Sequence, residues 1–95
     1  MKIGYSTRAL ADLEDILTFI QSRNPRAAAA IMTAIEDRIS LLATFPLMAP
    51  ETDEPGIREV SLVRYPYKIY YEIVGEEVRI LHIRHTRRRP RRRSP

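Results

Sequence analysis

The chain has 95 residues, with 16 Lys and Arg against 12 Asp and Glu, a net charge of +4 and 44% apolar residues. These figures describe one globular domain that buries about two-thirds of its unfolded surface and has no room for a second module. The lack of cysteine excludes a disulfide framework, a thiolate metal site and a cysteine nucleophile.

Nothing after Met1 reads as a secretory h-region. The longest apolar run, Ala27 to Met32, is far short of the roughly 20 residues of a membrane span. The expected setting is the cytoplasm, with no membrane partner. Lys2 to Ser6 alternates and reads as a first strand. Ser6 or Thr7 then caps a helix, with Asp12, Glu14 and Asp15 in its first half, where the helix dipole favours acids. Leu10, Leu13, Ile16, Leu17 and Ile20 recur at spacings of three and four and make one apolar stripe. That helix ends near Arg23, because the residue before Pro25 is pushed out of helical geometry. Pro25 suits the first position of a second helix capped by Asn24. Ala28, Ile31, Ile35, Ile39 and Leu42 carry the stripe on until Phe45-Pro46 stops it. The two amphipathic helices form an αα-hairpin.

Pro50, Pro55, Glu51, Asp53 and Glu54 mark a loop. After Gly56 the period changes: 57–63, 67–74 and 78–83 are rich in β-branched and aromatic residues and read as strands. Val74-Gly75-Glu76-Glu77 turns between the last two. Pro66 donates no ladder hydrogen bond, so a turn or bulge is expected there. The predicted fold is α+β, in the order β-α-α-β-β-β, with the N-terminal αα-hairpin packed on one face of a small, mainly antiparallel twisted sheet.

The charge divides sharply along the chain. Arg87, Arg88, Arg89, Arg91, Arg92 and Arg93 hold six of the sixteen cations, so residues 1–86 are net −2 and the last nine carry +6. The expected organisation is a domain over 1–86 and a basic tail over 87–95. Such a tail has no means of burying a core. It is either a solvated end or, together with Arg84, an electrostatic attachment to nucleic acid or an acidic target.

His82 and His85 stand three apart on one predicted strand, hence on opposite faces, which argues against a shared metal ion. No metal or other cofactor is expected. Of the two, His85 at the strand end is the better candidate for acid–base work, with His82 read as a packed ring. Arg58, Arg64 and Lys68 have even separations and a regular strand would show them on one side. If they converge with His85 they can hold a phosphodiester and stabilise its charge, as metal-free RNA cleavage requires. Pairing of each cation with a neighbouring glutamate is the simpler alternative. Tyr65, Tyr67, Tyr70 and Tyr71 either stack bases or, for Tyr67 and Tyr71 above all, fill the helix–sheet core.

Taken together, several segments resemble the RelE/ParE superfamily of toxins from type II toxin–antitoxin modules, in its ParE-like, plasmid-stabilisation branch. They are Tyr5-Ser6, Asp12-Leu13, Asn24-Pro25, Phe45-Pro46, Gly56-Ile57-Arg58-Glu59, Arg64-Tyr65-Pro66-Tyr67-Lys68, Val78-Arg79-Ile80-Leu81, His85 and Arg87. The resemblance implies a toxin that forms a hetero-oligomer with a cognate antitoxin. It implies one of two activities: inhibition of DNA gyrase, or metal-free cleavage of mRNA on the ribosome. For the second, Arg58 or Arg64 and His85 stand where the ribonucleases carry catalytic groups. Thr86 in place of an aromatic residue, and the net −2 body, turn the reading towards gyrase and away from an enzyme. A toxin fold kept only as a partner-binding module is the third alternative.

Overall fold

The computed structural model describes residues 1–87. Six elements follow in order: β1 (Lys2–Tyr5), α1 (Thr7–Gln21), α2 (Pro25–Thr44), β2 (Arg58–Ser61), β3 (Tyr67–Val74) and β4 (Glu77–His85). Both helix starts rest on side-chain caps. Ser6 Oγ accepts from the Ala9 amide at 3.0 Å, and Asn24 Oδ1 accepts from the Ala27 amide at 3.1 Å, with Pro25 opening α2. The cap of α1 is therefore Ser6, not Thr7.

The sheet order is β1-β4-β3-β2. β1 runs parallel to β4, while β4 with β3 and β3 with β2 are antiparallel. The βααβββ order and the mainly antiparallel sheet are as the sequence predicts, with a shorter β2 and a longer β4 than the apolar runs alone mark out. The two-residue connection of β3 to β4 has Gly75 first, at φ 60°, matching the primed hairpin turn that takes glycine there. Pro66 lies in the loop between β2 and β3, outside the ladder, as expected of a residue without an amide hydrogen.

Ala28, Ile31, Ile35, Ile39 and Leu42 of α2 are all buried, facing Tyr67, Ile69, Tyr71, Val78, Ile80 and Ile83 of the sheet. The stripe of α1 is set differently from the expected one. Ala9 and Ile16 are buried, with Leu13 and Ile20 packed beside them, and Leu10 is 55% exposed. The small Ala9 meets the sheet because α1 starts tight against β4, and its bulkier neighbour is turned to solvent. Among the described residues no helix is long and apolar enough to cross a membrane.

Tyr71 joins this core to the loop that follows α2. Its ring is fully buried, and its hydroxyl donates to the Pro46 carbonyl at 2.7 Å. Burial raises its pKa above the ordinary 10.0, against the smaller opposing effects of the Ala49 backbone and the Arg58 charge. The folded state thus favours the neutral phenol. That stabilisation is complete below about pH 10 and is lost as pH climbs and the unfolded chain ionises first. Tyr71→Phe is expected to cost about 1 kcal/mol at pH 7 and to flatten the loss of stability above pH 10, both measured by urea unfolding across pH.

Candidate functional site

The pleat sends alternate residues of β2, β3 and β4 away from the helices, and apart from Val74 at the hairpin end this outer face is polar. On it stand Glu59 and Ser61, Lys68, Tyr70 and Glu72, and Arg79, His82 and Arg84. Most of the charges are matched. Lys68 Nζ lies 3.1 Å from Glu59, and Arg79 lies 3.8 Å from Glu72 and 3.4 Å from Glu77.

The residues expected to cooperate in RNA cleavage do not meet in one place. Arg58 pairs in register with buried Tyr71, so it points to the helix side, where its guanidinium donates to the Ala49 carbonyl. Lys68 is on the other side of the sheet. The parity of the Arg58–Lys68 spacing is broken because β2 ends at Ser61 and the chain leaves the ladder until Tyr67. Arg64 is exposed in that loop. His85 pairs in register with Tyr67, its ring edge-on to the tyrosine at a centroid distance of 5.0 Å. Its Nδ1 accepts from the Arg87 amide at 3.1 Å. An open cleft of about 360 Å³ does gather Arg64, Lys68 and Arg87 with Tyr65, Pro66 and Thr86; Arg58 and His85 are absent from its lining. Arg88, Arg89, Arg91, Arg92 and Arg93 lie outside the described residues.

His82 is more closely engaged than its reading as a packed ring implies. β1 covers β4 only from Glu77 to Ile80, so the second half of β4 has an open edge, and the start of α1 lies along it. Ser6 Oγ donates to the Leu81 carbonyl at 2.9 Å. Asp12 Oδ2 accepts from the Ile83 amide at 2.9 Å and lies 2.6 Å from His82 Nδ1. Arg8 Nη2 is 3.3 Å from His82 Nε2. The His82 ring stacks on Tyr70 at 5.6 Å between centroids, and the Tyr70 hydroxyl accepts from Arg84 Nη1 at 3.2 Å. The Arg84 Nε is buried with no hydrogen-bond partner among the described residues.

A register shift lets this cluster form. Tyr70 pairs with His82 and Tyr71 with Ile80, which leaves Leu81 as the extra residue of a bulge. His82 and Arg84 consequently share the outer face, while Ile83 and His85 turn inward. The two histidines are on opposite faces, and no three His, Asp or Glu groups gather to hold a metal among the described residues. Sequence reading missed Asp12 and Arg8. Their spacing of four marks one helix face, but nothing local connects them to residue 82.

The described residues thus form a two-helix hairpin on a four-stranded sheet, with a cationic cleft at one end. Residues 3–90 match the family model of the ParE toxin of the type II toxin–antitoxin system parDE. The chain belongs to this family. It is 32% identical over 84 residues to the Y4kP protein of Sinorhizobium fredii, whose name marks it as a candidate toxin, covering 88% of this chain and 86% of that one. A solved chain of the chromosomal ParDE TA system from P. aeruginosa superposes with a TM-score of 0.78 at 25% identity, over 90% of this chain and 95% of that one. The intact E. coli RelBE toxin–antitoxin complex contains a chain that shares the fold, with a TM-score of 0.65 at 11% identity, covering 92% and 98%.

Asp12 and Lys68 test the contrast between the two parts of the outer face. Asp12→Ala leaves the Ile83 amide and His82 Nδ1 without their acceptor and is expected to cost about 1–3 kcal/mol. Lys68→Ala removes a half-exposed ion pair and is expected to cost under about 1 kcal/mol. Chemical denaturation of the two variants measures both.

Proposed function

We propose that this toxin acts in the cytoplasm, is held inactive by an antitoxin that binds it directly, and when free inhibits growth by binding DNA gyrase. The antitoxin partner rests on the matched family and on the two solved relatives, described as a ParDE TA system and a RelBE toxin–antitoxin complex. The observation that carries binding over catalysis is the scatter of Arg58, Arg64, Lys68 and His85. Metal-free cleavage needs donors aimed together at one phosphate as its charge develops. Here Arg58 serves a backbone carbonyl on the helix side, and Lys68 serves Glu59 on the outer side.

The ribonuclease reading keeps one observation in its favour, the cleft that gathers Arg64, Lys68 and Arg87. Two assays on the purified toxin, each with and without its antitoxin, separate the readings. The expected result is loss of gyrase supercoiling, relieved by antitoxin, with mRNA left intact in a translating extract. Cleaved mRNA with normal supercoiling would overturn it in favour of catalysis at the cleft of Arg64, Lys68 and Arg87. Silence in both assays would leave a partner-binding fold.

The tail adds an electrostatic component to target binding in this reading. Removing residues 87–95, which carry six arginines, is expected to weaken inhibition at low salt and to matter less at high salt, where screening already removes the attraction. Equal inhibition by the full and shortened chains at both salt concentrations would exclude that role.

A further inference from the structure

Arg8, His82 and Arg84 stand out because the rest of the outer face is neutralised. Lys68 and Arg79 have glutamate partners, whereas neither Arg8 nor Arg84 has a carboxylate partner among the described residues. Among the described residues Arg8 reaches only the His82 ring nitrogen, and Arg84 only the Tyr70 hydroxyl. The one carboxylate in the cluster, on Asp12, is taken up by the Ile83 amide and His82 Nδ1.

This hydrogen-bond pattern has two states. With Asp12 accepting at Nδ1, the neutral ring carries its proton there, and Nε2 presents a lone pair that accepts from Arg8. Protonation of the ring keeps the bond to Asp12 and puts a second N–H at Nε2, 3.3 Å from an Arg8 nitrogen that is also a donor. Two donors and two positive charges then face each other, and the group that satisfies both is an oxyanion placed between them. Arg84, two residues along the same face of β4, adds a third cation beside it. Tyr70 on β3, Arg84 on β4, and Arg8 and Asp12 on α1 are the titratable or charged groups that surround His82.

We propose that Arg8, His82 and Arg84 form a phosphate-binding site at the open end of β4. Neutral His82 fills it with the Arg8 side chain, and protonated His82 opens it to the anion. The site adjoins the Arg64–Lys68–Arg87 cleft, because Arg84 pairs in register with Lys68 on the outer face, and it is independent of the choice between gyrase and ribosome.

Ring-selective NMR of the full-length chain tests this, with inorganic sulfate and a dinucleoside monophosphate, whose one phosphate is a diester, as probes. Neither probe changes charge between pH 5.5 and 8.0, the two values compared. The His82 ring signals are expected to move on titration, with binding at least tenfold tighter at pH 5.5. Arg8→Ala, a change at an exposed position, is expected to abolish that difference. Equal response to the two probes would mark a site for a free anion, and a tighter dinucleotide would mark one for a nucleic-acid phosphodiester. Equal affinity at the two pH values, the same affinity in Arg8→Ala, or binding that leaves the His82 ring unmoved would each overturn the proposal. The last would place the anions on the other cations, those of the Arg64–Lys68–Arg87 cleft or of the arginine tail.

Discussion

A four-residue strand lies beside a nine-residue one, and much of the structure follows from that mismatch. β1 satisfies the edge of β4 from Glu77 to Ile80 and then turns into α1. The rest of β4 would present unpaired backbone groups, which proteins rarely leave buried or open to pairing with another chain. The first turns of α1 supply the missing partners from side chains: Ser6 to the Leu81 carbonyl and Asp12 to the Ile83 amide. Ser6 also caps the same helix. One short segment therefore starts a helix, seals an edge and fixes how closely α1 approaches the sheet, which is why Ala9, and not a larger residue, is buried there.

That arrangement divides the molecule into a side that holds it together and a side available for recognition. The helix-facing layer has an apolar centre of Tyr67, Ile69, Tyr71 and the α2 isoleucines, with Arg58 and His85 at its margin. The opposite layer is a grid of short ion pairs that contribute little to stability because water reaches them. Such a grid is near neutral, so the field it projects comes from the few cations left over: Arg8 and Arg84 at the end of β4, and Arg64 and Arg87 around the cleft. A surface of this kind discriminates partners by where its uncompensated charges stand more than by overall charge, in keeping with a body that is net negative beneath a cationic tail.

The parts of the fold that local chemistry dictates could be read from the chain. Asn24-Pro25 announces a helix start, the α2 stripe from Ala28 to Leu42 announces its buried face, and Gly75 announces the hairpin. Tyr67 and Tyr71 could be assigned to the core by their place in alternating runs. The site was far less legible. Arg58 and Lys68 looked co-facial only while the chain between them was taken as one strand. His82 looked like packing because its partners, Asp12 and Arg8, are 70 and 74 residues away. Leu10 was assigned inward because an apolar stripe fixes a helix's period but not its rotation, and the rotation of α1 is set by the β4 edge.

The bulge at Leu81 makes the two halves of β4 independent in phase. Were Leu81 to pair as an ordinary strand residue instead of bulging, the alternation would run uninterrupted from Val78. Ile83 would then swing to solvent, and His82 and Arg84 would enter the apolar layer. What keeps the strand's end in phase is thus the bulge and not the number of residues. Deletion of Leu81 would leave Ile80 opposite Tyr71 and His82 opposite Tyr70 in an unbroken ladder. A chain of full length reaches the same phase only by bulging around the extra residue. In relatives, a one-residue gap at this point is therefore compatible with an outward-facing cluster at the position of His82.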